Sequence, residues 1–190
     1  MIGQLSSKKI ILSSFFIILI CSLLFQFSIS DKVLHIYYSS VGENAYDIGE
    51  KSVRTIVMFL QGFMIFTTFI EILIGGFILF IVAFILGSKK PKKTYLLLYT
   101  LTSLISAFKM LILSVVNYLT ADSSLIYSAS GTELSLQLLD PFLLISIAAL
   151  YVAAGKLTEL DKSKRIILTG CFVLIKLFNI FFNYFMVDKI

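Results

Sequence analysis

An almost uninterrupted apolar stretch covers residues 55–87, and it constrains the fold more than any other feature of the sequence. Its main interruptions in 33 positions are Gln61, Glu71 and the pair Gly75-Gly76. About 20 apolar residues suffice to cross a bilayer, whereas two spans need about 40 residues and a turn. We therefore expect one long, tilted membrane helix whose first turns project from the bilayer.

Four further apolar stretches have membrane length. The 190-residue chain has 58% apolar and 14% charged residues, and its mean hydropathy is +0.98. Soluble domains carry about 25% charged residues, so this composition excludes an ordinary soluble protein. We predict an all-α fold in a single integral-membrane domain, residues 1–190. It is a polytopic bundle of five transmembrane helices at about residues 10–28, 60–87, 94–120, 134–155 and 166–186.

Lysine and arginine residues predict the orientation of this bundle, because cytoplasmic loops carry an excess of them. With the N-terminus inside and the C-terminus outside, ten fall on the cytoplasmic side and four on the outer side. The strongest signal is the lysine-rich turn, residues 89–93, with four lysines in five positions. Residues 31–54 are then an outer loop. The formal charge of +5 reflects topology, and we expect no nucleic-acid partner.

Four charged residues, Glu71, Lys109, Asp140 and Lys176, each lie within a different predicted span. An unpaired charge at the bilayer centre costs about 2.5–3.5 kcal/mol even on the lenient insertion scale, so we expect the acids and bases to pair. Sequential helices are usually neighbours, which favours Asp140 with Lys109. A Glu71–Lys176 pair, or a cluster of all four, comes next. Such a network either specifies helix packing, or relays protons or ions, or holds a ligand headgroup; the sequence leaves these open.

Further polar residues share the helix faces of these charges, at offsets of three, four, seven and eight positions. They form a polar stripe of Gln61, Thr68, Ser106, Asn117, Gln137, Asn179 and Asn183. Gly75 lies on the Glu71 face, which predicts a close helix contact.

The helix-entry motif Asp140-Pro141 allows a second interpretation, in which Asp140 caps a helix that begins inside the membrane. The small residues between 146 and 155 predict that this fourth helix lies at the bundle centre.

Motifs for catalysis are missing from the sequence. It has no Ser-His-Asp set, no zinc-protease motif and no phosphate-binding glycine loop. His35 is the only histidine, and Cys21 and Cys171 lie 150 positions apart without metal spacing. We therefore expect a protein that is not an enzyme and that has no cofactor and no metal.

About residues 65–187 resemble the bacterial branch of the YIP (Rab-GTPase-interacting) membrane family. The resemblance rests on a span entry, a span ending in small residues, the turn at residues 155–165 and a closing span. The span entry is Leu138-Leu139-Asp140-Pro141-Phe142. The Asp-Leu-Tyr-Gly-Pro signature of eukaryotic members is absent. The resemblance implies a non-enzymatic adaptor in the bacterial cytoplasmic (inner) membrane. Its implied partners are other membrane proteins, namely the permease or ATPase of an ABC-type exporter.

Two other functions fit the size and topology. One is a small proton- or ion-coupled transporter that uses the four intramembrane charges. The other is an immunity protein against a membrane-active peptide. The lipid bilayer is a partner in every case, and a homo-oligomer remains open.

Overall fold

A computed structural model describes residues 7–41, 50–120 and 138–187, and these residues form five α-helices with no strand among them. In chain order the helices are α1 (Ser7–Val41), α2 (Glu50–Ile85), α3 (Lys92–Leu119), α4 (Pro141–Leu157) and α5 (Lys162–Val187). The predicted all-α class is confirmed for the described part of the chain.

Among the described residues, three helical segments are long and apolar enough to cross a membrane: Ser7–Ser30, Ser52–Ile85 and Lys92–Leu119. Helix α4 is also apolar but has only 17 residues. It is therefore about 25 Å long, which is shorter than a hydrocarbon core of about 30 Å. These lengths and compositions are compatible with an integral membrane protein.

Helix α2 runs without a break through most of the long apolar stretch, which confirms one helix there instead of two. Its 36 residues extend about 54 Å. The helix ends before Gly87, whose φ of 83° is in the left-handed region that glycine adopts without steric cost. The Gly87 N–H donates to the Phe84 carbonyl and the Ser88 N–H to the Ala83 carbonyl, both at 2.9 Å. These two bonds form a Schellman motif, which satisfies the last carbonyl groups of α2.

The structure corrects the prediction of a loop at residues 31–54, because much of this segment is helical. Helix α1 continues to Val41 and α2 already begins at Glu50, while residues 42–49 lie outside the described part. Polarity determines where a helix leaves the bilayer, whereas helix-breaking residues determine where it ends. Within 31–54 the only glycines are Gly42 and Gly49, which immediately flank the two helices, and there is no proline.

Helix α3 lies at the centre of the bundle, where it packs against α1, α2 and α4; α5 packs against α2 and α4. The prediction that the fourth helix is central is therefore wrong. Helix α3 buries ten residues and α4 only three. Small residues permit close approach but do not attract a neighbour, and Ala148 and Gly155 of α4 remain exposed. On α3, by contrast, Tyr95, Leu98 and Tyr99 are fully buried.

Candidate functional site

The first ion pair joins α3 to the start of α4. The Lys109 Nζ lies 2.7 Å from Asp140 Oδ2, and the side chains are 33% and 17% exposed. The other oxygen of the same carboxylate, Oδ1, accepts a hydrogen bond from the Phe142 N–H at 2.9 Å. Asp140 is thus the N-cap of α4, with Pro141 in the first turn, where its missing N–H costs nothing. Both interpretations of Asp140 apply at once: it caps a helix and it neutralises a lysine.

This cap also marks where α4 begins within the predicted fourth span. The prediction places that span at about residues 134–155, and α4 begins at Pro141. A proline in the first helical turn and a side-chain cap before it together mark a helix start. Residues 134–137, with Gln137 of the predicted polar stripe, lie outside the described part of the chain.

The second ion pair joins α2 to α5 and includes a third residue from α3. The Lys176 Nζ lies 2.7 Å from Glu71 Oε1, with side chains 17% and 35% exposed. The Tyr99 hydroxyl donates to the same oxygen at 3.1 Å. The ammonium group also lies 5.5 Å from the centre of the Tyr99 ring and 5.8 Å from that of Phe172. These rings meet edge to face at 5.6 Å. Lys176 therefore has a carboxylate and two aromatic faces as partners, which compensates for its removal from water.

The two ion pairs are separate sites and do not form one cluster of four. Tyr99, at the second pair, and Lys109, at the first, are ten positions apart on α3, which is about 15 Å along the axis. The pair expected first from the sequence, Asp140 with Lys109, is present. So is Glu71 with Lys176, which was the next expectation beside a cluster of all four. Through Lys109 and Tyr99, α3 is tied to every one of α2, α4 and α5.

Two glycines bring α2 and α3 close enough for Tyr99 to reach Glu71 of the second ion pair. A Cβ at Gly75 would overlap the outer ring atoms of Tyr99, and a Cβ at Gly76 would lie 3.0 Å from the Leu96 Cα. The absence of side chains at these positions creates the space that the Tyr99 ring fills beside Glu71. The close contact predicted for Gly75 is confirmed.

The described residues of the polar stripe make separate contacts and do not line one cavity. Gln61 donates to the Gln26 carbonyl of α1 at 3.1 Å. Asn117 is buried and accepts from Lys32 of α1 at 3.5 Å. Two residues stay on their own helices, where Thr68 bonds the Met64 carbonyl and Ser106 is half-buried. Asn179 lines the groove described below, and the side chain of Asn183 lies outside the described part.

Sequence reasoning missed two residues of this polar framework. Tyr99 precedes Thr102, Ser106 and Lys109 by three, seven and ten positions, so helical spacing already put it on the polar face. Lys32 was assigned to the outer loop. It instead donates from α1 to the carbonyl of Thr120 at 3.1 Å, at the end of α3. No pattern in the sequence pointed to that contact.

A groove lies between α2 and α5 next to the second ion pair. This α2–α5 groove has a volume of about 820 Å³, and its lining includes Glu71, Ile74 and Ile78 of α2 and Leu174, Phe178 and Asn179 of α5. The walls are almost wholly apolar, with the Glu71 carboxylate and the Asn179 amide as polar groups. Such a groove suits an apolar ligand that carries one polar group.

The basic turns meet at one end of the bundle. The Lys90 Nζ lies 2.8 Å from Glu159 Oε1, which links the lysine-rich turn to the turn between α4 and α5. This hydrogen bond, with the positive charge of Lys90, lowers the pKa of the Glu159 carboxyl. The link is therefore present at neutral pH and is lost in acid, once the pH falls through that lowered pKa. Arg165, in the same region, stacks over the Tyr151 ring at 5.4 Å.

No known protein family, curated protein or solved structure matches this chain. The YIP resemblance therefore stays a prediction. Within residues 7–41, 50–120 and 138–187, no three histidine, cysteine or acidic side chains come together as a metal site would require.

Proposed function

We propose that the chain is a non-enzymatic integral-membrane accessory protein that binds other membrane proteins. In this proposal it has five spans, a cytoplasmic N-terminus and an outer C-terminus. The Lys90–Glu159 ion pair supports this orientation, because it brings the two basic turns to the same end of the bundle. Loops rich in lysine and arginine remain in the cytoplasm.

The observation that carries the proposal is that all four intramembrane charges are used in contacts between helices. Each ion pair closes at 2.7 Å, and both carboxylates accept a further hydrogen bond. Charges that are paired and hydrogen-bonded in this way are suited to specifying which helices pack together. The first pair attaches α4 to α3, and the second attaches α5 to α2 and so joins the two walls of the α2–α5 groove. This use of the charges favours binding over conduction.

The α2–α5 groove is the docking surface that we assign to the partner. Its apolar walls suit a transmembrane helix, and Glu71 and Asn179 offer hydrogen bonds to a polar residue of that helix. Leu174 and Phe178 are 67% and 68% exposed, so a helix in the groove would cover them. Following the YIP resemblance, the expected occupant is a helix of the permease of an ABC-type exporter. The basic turns are the expected contact for its ATPase.

Site-specific photo-crosslinking tests this proposal in intact membranes. A photoreactive residue at Leu174, in the groove, is expected to capture the exporter permease, identified by mass spectrometry. One at Val152, which is 54% exposed on α4, serves as the control and is expected not to capture it. Adding Asn179→Leu is expected to weaken the crosslink from Leu174. Equal capture from both positions, or no permease from Leu174, would contradict the proposal.

A second function, proton- or ion-coupled transport, is favoured by one observation. The Glu71 side chain is 35% exposed and faces the groove, so a proton or cation can reach it. Proteoliposomes distinguish the functions, because a transporter shows flux that Glu71→Gln abolishes without loss of folded protein. An accessory protein shows no flux above empty vesicles. No contact among the described residues bears on an immunity function, which sensitivity to the peptide after gene deletion would test.

A further inference from the structure

A second groove, on a different side of α2, lies between α2 and α3 and ends at the lysine-rich turn. This α2–α3 groove has a volume of about 220 Å³. Its lining is Leu73, Gly76, Phe77, Phe80 and Leu96, with Lys92 and Lys93. It shares no lining residue with the α2–α5 groove. The docking surface of the proposed partner is thus separate from it.

The walls of the α2–α3 groove are apolar and stay open to the surroundings of the bundle. Leu73 and Phe77 are 52% and 58% exposed. Gly76 forms part of the floor, because its missing side chain lets α2 approach the Leu96 backbone. In a bilayer this apolar cleft lies where acyl chains are the surrounding solvent, and a chain that enters it gains contacts on several sides.

The charged end of the same groove selects the chemistry of its occupant. Lys92 and Lys93 are both exposed in the first turn of α3. Within the described part of the chain neither forms an ion pair, whereas Lys90, Lys109 and Lys176 do. Two adjacent ammonium groups therefore face an apolar cleft without a carboxylate to neutralise them. A ligand that complements both parts has an anionic head and an apolar tail.

We propose that the α2–α3 groove binds one anionic phospholipid, with the phosphate held by Lys92 and Lys93 and an acyl chain lying along Leu73, Phe77 and Phe80. A cationic or zwitterionic lipid lacks the net charge that the lysines select. A free phosphate ion lacks the tail that the apolar walls select. An acidic peptide could meet the lysines but would leave the membrane-facing walls uncovered.

Lipid retention by the purified full-length protein tests the proposal. The protein is exchanged into detergent with dioleoyl phosphatidylglycerol or dioleoyl phosphatidylcholine, and bound lipid is counted by native mass spectrometry. Each lysine near a headgroup contributes about a 5-fold gain in affinity, so Lys92→Gln with Lys93→Gln is expected to weaken phosphatidylglycerol binding about 25-fold. Binding of phosphatidylcholine is expected to be weak and unchanged.

A matched double variant controls for net charge. Lys162→Gln with Lys164→Gln removes two positive charges from the other basic turn, outside the groove. It is expected to retain phosphatidylglycerol as the parent protein does. If both double variants lose the lipid equally, the basic surface as a whole attracts anions and the groove site is overturned.

The apolar half of the site has its own test. Leu73→Trp places a larger side chain in the groove at an exposed position, which folding tolerates. It is expected to reduce retention of dioleoyl phosphatidylglycerol while leaving the lysines intact. Glycerol phosphate, which has the headgroup charge without chains, is expected not to displace the lipid at equal concentration. Retention unaffected by Leu73→Trp, or ready displacement by glycerol phosphate, would identify a simple anion site and contradict the proposal.

Discussion

Asp140 uses a single carboxyl group for two interactions, and mutation can separate them. Asn at this position can still accept the Phe142 N–H and cap α4, but it leaves Lys109 without a counter-charge. We expect Asp140→Asn to reduce the free energy of unfolding by roughly 2 kcal/mol, which is less than the about 3–5 kcal/mol for breaking a fully buried pair because Lys109 is partly exposed. Equilibrium unfolding in mixed micelles measures this loss.

The double variant Asp140→Asn with Lys109→Met provides the control for that prediction. Removing both charges leaves no unpaired ion, so we expect the double variant to recover most of the lost stability. Asp140→Leu with Lys109→Met also removes the cap and is expected to be less stable by about 1 kcal/mol. If the Asn–Met variant is no more stable than Asp140→Asn alone, the ion pair is not what joins α3 to α4.

At the residue scale, the sequence was sufficient to predict that the four charges pair, because an unpaired charge in a bilayer is costly. The adjacency of the helices favoured Asp140 with Lys109, while a separate Glu71–Lys176 pair and a cluster of all four both stayed open. The sequence was not sufficient to predict Tyr99 as the second partner of Glu71. A tyrosine in an apolar stretch has many uses, and its hydrogen bond to Glu71 exists only because two glycines bring α2 against α3 in one register. That register is a tertiary property.

At the scale of the helices, the contact between α2 and α3 depends on Gly75. Gly75→Ala introduces a Cβ that overlaps the Tyr99 ring, so we expect a loss of about 1–3 kcal/mol, typical of overpacking. Gly62→Ala in the same helix meets nothing within 4 Å and is expected to be neutral or slightly stabilising. Unfolding of the two variants under identical conditions tests the difference.

Replacing Tyr99 with a smaller side chain tests whether the cost of Gly75→Ala comes from the contact with the Tyr99 ring. In a Tyr99→Leu background, the ring atoms that Gly75→Ala would meet are gone. The same alanine substitution should then cost much less than it does in the parent protein. An equal cost in both backgrounds would show that the α2–α3 contact does not depend on this fit.

Helix boundaries were predictable where punctuating residues mark them and not elsewhere. The single helix through residues 55–87 followed from length, and Asp140-Pro141 marked the start of α4 as one of two interpretations. The sequence does not predict the extension of α1 to Val41, because polar residues mark where a helix leaves the bilayer and not where it ends. The sequence does not predict the central position of α3 either. A helix is central when neighbouring helices pack against several of its faces, and the number of small residues in a helix does not determine this.

For the whole molecule, the meeting of the basic turns leads to a topology prediction. In a background with Cys21→Ala and Cys171→Ala, Ser163→Cys lies at the exposed start of α5 and Ser124→Cys in the connection between α3 and α4. We expect a membrane-impermeant maleimide to label Ser124→Cys in intact cells. Ser163→Cys should react only after the cells are lysed, because its turn is cytoplasmic in the proposed orientation. The reverse pattern would invert the proposed orientation.

Helix lengths within the bundle are unequal, and the surrounding lipid must accommodate the difference. Helices α1 and α2 have 35 and 36 residues, while α4 begins at the Lys109–Asp140 pair and has 17. If α4 crosses the bilayer as in the proposed five-span arrangement, the hydrocarbon beside it has to be about 5 Å thinner than the average bilayer, at a cost of a fraction of a kcal/mol per Å. Water and headgroups would then dip toward Asp140 on that side. The protein would then be enriched where the bilayer is already thin, and drawn toward neighbours that thin it in the same way.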